Sequence, residues 1–224
     1  MSIHAIIPAS GSGVRFSGKT PKQFIKSGGK EIIAYTLNTF NRIREIDSIT
    51  IATRKEYFDR LIKIVFENRF DKVLKIVEGG THRMDSVYNA LMNISCAKND
   101  FIIIHDAVRP FVSPDLIRRL IKEARRQKVV IPGLLISDTV KKTDNKAIVK
   151  ETVERENLYR VQTPQVFRFD VLVKSFEKAY EDNFTGTDEA SITEYAGYKT
   201  KIINGETSNI KITVKEDLKS NFKR

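Results

Sequence analysis

The segment IIPASGSGVRFSGKTPKQF, residues 6–24, joins a short apolar run to a loop that is rich in glycine and basic residues. The apolar run has the Ile-rich composition of a buried strand. Glycine lets backbone N–H groups turn toward an anion, and Arg15, Lys19 and Lys22 can neutralise the charge of a triphosphate. The segment therefore predicts a strand that leads into an anion-binding loop.

The same loop contains GVRFSGKT, which satisfies the P-loop pattern G-x-x-x-x-G-K-[ST]. In a P-loop the strand ends at the first glycine and a helix begins at the lysine. Here ASGS separates the apolar run from Gly13, and Pro21 biases Thr20 away from helical geometry. The dinucleotide pattern G-x-G-x-x-G also fails, because Phe16 stands at its last position. A P-loop NTPase is kept only as an alternative, in which Lys19 is essential.

Outward from this loop, Ile- and Val-rich runs alternate with segments of helical spacing. The predicted strands span residues 5–8, 48–53, 73–77, 101–106, 129–135, 201–204 and 210–214. The predicted helices span residues 31–43, 56–68, 84–94, 115–127 and 170–181. This alternation favours an α/β fold with a mainly parallel sheet covered by helices. No linker divides the chain, so residues 1–224 are predicted to form a single domain.

Two local features refine this prediction. Ser113 followed by Pro114 is a typical start for the fourth helix. Residues 138–165 break the alternation, with two β-rich runs on either side of Asp144 and Asn145. We expect a protruding β-hairpin arm at about residues 137–162. Its polar composition predicts either a mobile flap or an arm completed by another subunit.

Composition limits the class of protein. The 224 residues carry a formal net charge of +11, which favours an anionic partner. Much of the excess lies in residues 117–128, where the basic side chains alternate with an apolar helical stripe. Zinc-finger spacing, ribonucleoprotein motifs and Trp are all absent from the sequence, which argues against nucleic acid as the partner. A noncatalytic basic nucleic-acid-binding module is kept as an alternative, and its binding would weaken steeply with salt.

Other features concern the cellular compartment. The sequence has no apolar run of ~18 residues that would predict a membrane span, and its start lacks the pattern of a secretory signal. The single cysteine, Cys96, agrees with a reducing environment. We therefore expect a cytoplasmic protein that does not bind membranes.

Seven segments occur in register along nearly the whole chain. They are PASGSGVRF...PKQF (8–24), EGGTHRMDSV (78–87), IIHDAVRPFV (103–112), SDTVK (137–141), VERENLYRVQTPQVF (153–167), GTDEAS (186–191) and GETSNIKITVKEDL (205–218). In these segments the chain resembles the 2-C-methyl-D-erythritol 4-phosphate cytidylyltransferase family of nucleotidyltransferases. The resemblance implies a Rossmann-like three-layer sandwich fold. It also implies an enzyme that transfers CMP from CTP to a polyol phosphate and releases diphosphate.

This chemistry brings two anions together, and fixed cations are best suited to stabilise the added charge of the transition state. By motif position, the resemblance implies catalytic roles for Arg15, Lys22 and Lys211. It also implies Mg²⁺, or another divalent cation, bound to the phosphates of CTP rather than by a dedicated protein site.

For CTP itself, the resemblance implies contacts from backbone groups of the glycine loop and from residues 79–86. The implied CTP-binding residues are Ser10, Gly11, Gly13, Gly80, Thr81, Ser86 and Ala107. Thr81 departs from the acidic residue of many relatives, and Ser10 replaces a more usual alanine. We interpret His82 and His105 as structural, because transfer to an ionised phosphate needs no strong base.

For the polyol phosphate, the implied binding residues are Asp106, Arg109, Thr139, Arg155, Thr163 and Thr187, together with Lys211. In the family the arm that carries Thr139 and Arg155 reaches a neighbouring subunit, so a homodimer with arm exchange is implied. The nearest alternative is the ribitol 5-phosphate cytidylyltransferase of teichoic acid synthesis, which shares several of these motifs. The segment GTDEASITEYAG favours methylerythritol phosphate as the acceptor.

Overall fold

The first strand sends alternate side chains into two separate cores. Ile3, Ala5 and Ile7 belong to one apolar cluster, whereas Ile6 belongs to another. Successive side chains of a strand point to opposite faces of its sheet. This strand therefore lies in a middle layer with a core on each side.

The computed structural model describes residues 1–11 and 20–221. The strands are β1 (Ile3–Pro8), β2 (Lys26–Ser27), β3 (Lys30–Glu31), β4 (Ser48–Thr53), β5 (Val73–Glu78), β6 (Phe101–Ile104), β7 (Val129–Leu135), β8 (Val140–Thr143), β9 (Val149–Val153), β10 (Tyr159–Val161), β11 (Gln165–Arg168) and β12 (Lys201–Asn204). The α-helices are α1 (Ile32–Arg42), α2 (Phe58–Asn68), α3 (Arg83–Met92), α4 (Pro114–Ala124), α5 (Phe169–Glu181), α6 (Glu189–Tyr195) and α7 (Lys215–Asn221). Short 3₁₀ turns occupy Lys22–Phe24 and Lys55–Tyr57.

The main sheet is mainly parallel, as predicted. Its hydrogen-bonded neighbours follow the order β10-β7-β11-β6-β1-β4-β5, and β12 also pairs with β7. β1 is parallel to β4 and β6, β4 to β5, and β7 to β12. β10 and β11 run antiparallel to their partners. The parallel pairs bring the carboxyl ends of β1, β4, β5 and β6 to the same edge, where ligands bind in open α/β sheets.

Helices cover both faces of this sheet. Leu37 of α1, Leu61 of α2 and Leu120 of α4 are fully buried in the cluster that contains Ile7. On the opposite face α3, α5 and α6 pack against the sheet, as the second cluster shows. The predicted three-layer α/β sandwich is confirmed. None of the helices among the described residues has the length and apolar composition needed to cross a bilayer.

The start of α4 follows the predicted pattern. Ser113 Oγ accepts a hydrogen bond from Leu116 N at 3.0 Å, and Pro114 is the first helical residue. The predicted apolar stripe is buried, and it consists of Leu116, Ile117, Leu120, Ile121 and Ala124. Arg118 and Lys122 are exposed on the other side. The basic residues of this helix therefore form a solvated face.

One predicted strand is wrong. Residues 210–214 form no strand, although Ile210 and Ile212 have the alternation of one. Ile212 N donates a hydrogen bond to Val108 O, in the loop after β6, at 2.9 Å. Ile212 is buried beside Ile32 and Val108 in a small third cluster. The alternation therefore reflects one anchoring side chain rather than a hydrogen-bonded ladder.

The predicted hairpin is present. β8 and β9 pair as a separate two-stranded sheet whose residues are mostly exposed. Asp144 Oδ1 accepts hydrogen bonds from Lys146 N and Ile148 N, at 2.9 and 3.0 Å, which fixes the turn. β10 and β11 were not predicted, and β10 belongs to the main sheet rather than to the hairpin. The assignment of residues 1–224 to one domain, with an arm at about 137–162, stays a prediction.

Candidate active site

Residues within two positions of the carboxyl ends of four parallel strands meet in one cavity. Ser10 follows β1, Arg54 follows β4, Gly80 follows β5 and Asp106 follows β6, and all four line a cavity of about 280 Å³. Other residues in its wall are Gly11, Lys22, Gln23, Thr81, His82, Arg83, Ser86, Ala107 and Lys211. We refer to this as the first cavity. It contains every predicted CTP-binding residue that lies within the described part of the chain.

Small residues and hydroxyl groups form one wall of the first cavity. Gly80 N donates to Ser86 Oγ at 3.1 Å, and Ser86 Oγ lies 3.1 Å from Ser10 Oγ. Ser10 Oγ in turn donates to Ala52 O at 3.2 Å. A Cβ atom on Gly79 would lie 1.8 Å from Ser10 Oγ, so only glycine permits this close approach. The hydroxyl of Ser10 thus gives Ser86 Oγ a hydrogen-bond partner, which an alanine at position 10 could not supply.

Gln23 holds the two ends of the glycine loop together. Its Nε2 donates to Ala9 O at 2.6 Å and to Gly11 O at 3.1 Å, and the side chain is buried. The adjacent Lys22 thereby lies in the wall of the first cavity. Gly13 and Arg15 fall within residues 12–19, outside the described residues, so their roles stay predictions.

A buried carboxylate gathers three cations at the floor of the first cavity. Asp106 Oδ1 lies 3.2 Å from Arg83 Nε, and its Oδ2 lies 2.9 Å from Lys211 Nζ and 3.4 Å from Arg109 Nε. The Asp106 side chain is only 7% exposed. Burial alone would raise the pKa of Asp106, but Arg83, Lys211 and Arg109 hold it far below its ordinary value. Asp106 is therefore an ionised anchor rather than a proton acceptor.

Arg83 and its second partner were not predicted from the sequence. Arg83 Nη1 lies 2.6 and 2.7 Å from the two carboxylate oxygens of Glu189, whose side chain is 1% exposed. The ion pair joins the first residue of α3 to the first residue of α6. The position of Arg83 gave a partial signal, because a cation in the first turn of a helix interacts unfavourably with the helix dipole. The local sequence does not show which acid offsets it. Arg54 and Gln23 also escaped prediction.

A second cavity, of about 210 Å³, adjoins the first. Arg83, Asp106 and Lys211 line both cavities. The second cavity is also lined by Arg109, Gln162, Thr163, Thr187 and Asp188. Four of the predicted acceptor-binding residues therefore meet here, namely Asp106, Arg109, Thr163 and Thr187, together with Lys211.

Thr163 and His105 explain how the loop after β6 is fixed. Thr163 Oγ1 accepts from Asp106 N at 3.1 Å and lies 3.0 Å from His105 Nδ1. His105 Nε2 lies 3.1 Å from Arg109 O, so the ring is neutral with its proton on Nε2. Burial lowers the pKa of His105 to about 4. These contacts agree with a structural role for His105 and commit the Thr163 hydroxyl to the loop.

Buried side-chain amides fix the remaining segments. Gln162 Nε2 donates to Glu206 O at 2.8 Å, and Gln165 Nε2 donates to Asp188 Oδ2 at 2.6 Å. Asn209 Nδ2 donates to Thr163 O at 2.7 Å. The residues of the QTPQ motif therefore join the loop before Lys211 and the start of α6 to the sheet.

Two predicted acceptor-binding residues lie elsewhere. Thr139 and Arg155 are exposed at the base of the hairpin, and neither lines the cavities. The Arg155 guanidinium donates to the carbonyl of Ser137. Within one chain, Thr139 and Arg155 therefore do not reach the two cavities. Their predicted role in binding the acceptor requires the arm of a second chain.

Cationic side chains outnumber acids around the two cavities. The lining among the described residues includes Lys22, Arg54, Arg83, Arg109 and Lys211 as cations, and Asp106 and Asp188 as acids. Both carboxylates are already used, Asp106 by cations and Asp188 by Gln165 and Ser191 N. The arrangement is suited to hold two polyanions side by side, and it offers no unoccupied carboxylate for a metal ion.

Comparison with known proteins gives a consistent result. The model of the family described as IspD, 2-C-methyl-D-erythritol 4-phosphate cytidylyltransferase, matches residues 3–221. The chain is 41% identical to the Clostridioides difficile protein of that name over 214 residues, which is 95% of this chain and 89% of the relative. It resembles the crystal structure of the 4-diphosphocytidyl-2C-methyl-D-erythritol synthase of Anaerococcus prevotii, with a TM-score of 0.85 and 34% identity over 99% of this chain and 96% of that one.

A further structure supports the same relationship. The Francisella tularensis 2-C-methyl-D-erythritol 4-phosphate cytidylyltransferase has a TM-score of 0.82 and 34% identity, covering 98% of both chains. These relatives are named for methylerythritol phosphate rather than for ribitol phosphate. The resemblance drawn from the seven sequence segments is therefore confirmed.

The Asp106 cluster predicts how stability depends on pH. A carboxyl group whose pKa is depressed by folding contributes stability above its unfolded pKa of ~4, and this contribution is lost as the pH falls below that value. We expect Asp106→Asn to lower the free energy of unfolding at pH 7 by about 3 kcal/mol, since it removes the carboxylate that pairs with the mostly buried Arg109 and with Lys211. The partial exposure of Lys211 keeps this figure moderate.

Urea unfolding of both proteins between pH 7 and pH 3 is the measurement. The gap between wild type and variant should narrow progressively as the pH falls below ~4, because Asp106 takes up a proton in the unfolded wild-type chain while the folded chain keeps it ionised. A gap that stays constant over this range would contradict the assignment of Asp106 as the ionised anchor.

Proposed function

The chain belongs to the 2-C-methyl-D-erythritol 4-phosphate cytidylyltransferase family, and we propose that it transfers CMP from CTP to 2-C-methyl-D-erythritol 4-phosphate with release of diphosphate. The products are 4-diphosphocytidyl-2-C-methyl-D-erythritol and diphosphate, and the reaction serves isoprenoid precursor synthesis. The observation that carries the proposal is the pair of adjoining cavities that share Arg83, Asp106 and Lys211. Two anionic ligands placed in them would meet at the shared cations, Arg83 and Lys211.

CTP occupies the first cavity in this proposal. The cytosine lies against the wall formed by Gly80, Thr81 and Ser86, where backbone groups and one hydroxyl distinguish it from other bases. The triphosphate lies toward Lys22 and the glycine loop, where Arg15 contributes a further positive charge. A buried polar group left without its partner costs ~1–3 kcal/mol, which is enough to reject a base with the wrong pattern of donors and acceptors.

The acceptor occupies the second cavity. Its phosphate lies near Arg109 and Lys211, and its hydroxyl groups lie near Thr187 and Asp106. An oxygen of this phosphate attacks the α-phosphorus of CTP, and the bond from that phosphorus to the diphosphate breaks. Lys22 and Lys211 stabilise the negative charge that develops, and the acceptor needs no base because its phosphate is already ionised.

We propose that Mg²⁺, or another divalent cation, enters the site with CTP. The described residues lining the cavities have no carboxylate that is not already bonded, so phosphate oxygens would be its main ligands. Such an ion neutralises phosphate charge when bound. Lys22, Arg83 and Lys211 orient and neutralise the phosphates from the protein side.

We also propose a homodimer in which each arm reaches the acceptor site of its partner. Thr139 and Arg155 lie outside the cavities of their own chain, and the arm exposes Ile148 and Val149 at 60% and 54%. Covering these apolar side chains is a reason for the arm to contact a second copy. A cytoplasmic location is proposed as well, in agreement with the single cysteine.

The first test is the choice of substrates. We expect diphosphate release with CTP, Mg²⁺ and methylerythritol phosphate, much slower release with ribitol 5-phosphate, and none with ATP. Release should withstand moderate salt, because a closed pocket is screened less than a polyanion-binding surface. Faster turnover with ribitol 5-phosphate would overturn the acceptor, and the absence of turnover with either acceptor would overturn the activity.

The second prediction concerns Lys22. Lys22→Ala should lower kcat by roughly 100-fold or more, because it removes a fixed charge from the developing transition state. Lys26→Ala is the matched control, since Lys26 is exposed on β2 and does not line the cavities. Steady-state diphosphate release measures both variants. Equal rates for the two would rule out the catalytic role of Lys22.

The third prediction tests arm exchange by mixing two inactive proteins. In a mixed dimer of Lys22→Ala and Arg155→Ala chains, one site keeps its own Lys22 and receives an intact arm from the other chain. After random exchange of subunits, activity should recover to roughly a quarter of the wild-type rate. If Arg155 served the site of its own chain, mixing would restore nothing.

A further inference from the structure

A second group of chemically distinctive side chains lies at the other edge of the sheet. His4 is the second residue of β1, Asp100 directly precedes β6, and Cys96 lies in the loop before β6. β1 and β6 are parallel, so their starting residues share the edge opposite the cavities. The group is therefore separate from the proposed active site.

The ligand atoms of these three side chains converge. The imidazole nitrogen, the thiol sulfur and a carboxylate oxygen all lie within 4.8 Å of one another. His4 Nε2 is 4.0 Å from Asp100 Oδ2. This nitrogen is buried and has no hydrogen-bond partner among the described residues. A buried polar atom without a partner is costly, and here it faces two other potential ligands.

The surrounding contacts orient the group as they do in metal sites. His4 Nδ1 lies 2.7 Å from Ser48 Oγ, and a proton on Nδ1 leaves the Nε2 lone pair directed into the group. Asp100 Oδ1 accepts from Ser2 N and its Oδ2 accepts from Ala97 N, each at 2.8 Å. These bonds fix the carboxylate and leave further lone pairs available.

We propose that His4, Cys96 and Asp100 bind one Zn²⁺ ion through Nε2, Sγ and a carboxylate oxygen. A donor set of nitrogen, sulfur and oxygen suits this borderline-soft cation, and water would complete the four ligands. Bonds of ~2.0–2.3 Å place tetrahedral ligand atoms ~3.3–3.6 Å apart, so the group closes by about one ångström on binding. The ion links β1 to the loop before β6 and stabilises the folded chain.

The test uses untagged protein stripped of metal, because a polyhistidine tag would bind the same ions. Zn²⁺ is titrated calorimetrically, and Co²⁺ is used as a spectroscopic probe of thiolate ligation. We expect one ion per chain, a sulfur-to-cobalt charge-transfer band, and a Zn²⁺-dependent rise in Tm. Cys96 is the single cysteine, so this band reports on it alone.

Variants of the group and a matched control make the test specific. Cys96→Ser should abolish the cobalt band and weaken Zn²⁺ binding by ~100-fold, since it removes one of the protein ligands. His4→Gln should weaken it similarly, because Nε2 is lost. His82→Gln is the control, since His82 is exposed near the first cavity, and it should bind as wild type does.

Two results would overturn the proposal. One is a Co²⁺ complex of the wild-type protein without the thiolate band, a measurement that does not depend on any variant folding. The other is equal Zn²⁺ affinity in wild type and Cys96→Ser, which would mean that ions bind elsewhere on the surface. Either result would leave His4, Cys96 and Asp100 as a packed structural group.

Discussion

The buried carboxylate of Asp106 is the constraint on which the candidate site depends. Arg83, Arg109 and Lys211 come from three distant segments of the chain, and at close range they would repel one another. Their shared contact with one ionised acid offsets this repulsion and fixes their positions before any ligand arrives. The cations need not reorganise when phosphate binds, and such preorganisation is the main source of electrostatic catalysis.

This cluster depends on backbone segments that are held in fixed positions. Hydrogen bonds from side-chain amides hold them there. Gln162 and Asn209 hold the segment that ends at Lys211, and Gln165 holds Asp188 at the start of α6. Each amide satisfies a buried backbone or carboxylate group that β-pairing leaves open. Polar residues in this region therefore have the positioning role that apolar packing has in the rest of the sheet.

The sequence was most informative where structure is local. The Ile- and Val-rich strands and the Ser113 cap follow from neighbouring residues, and they were predicted closely. The sequence motifs led to Asp106, Arg109 and Lys211, but not to Arg83 and Glu189, which complete the cluster. The ion pair between Arg83 and Glu189 spans 106 positions, and no local pattern encodes such a contact. The strand predicted at residues 210–214 was wrong for the same reason. A strand needs a neighbouring strand to pair with, and whether one is present depends on the assembled sheet.

The ionisation states of the site determine which mechanism it can support. Asp106 stays charged because three cations surround it, and His105 stays neutral because it is buried, so neither is suited to exchange protons near neutral pH. Arg83 and Glu189 neutralise each other within the wall. Lys22, Arg54, Arg109 and Lys211 add further positive charge to the lining of the two cavities. A site with fixed cations and no tuned base favours reactions between groups that are already ionised, as phosphate attack on a nucleotide is.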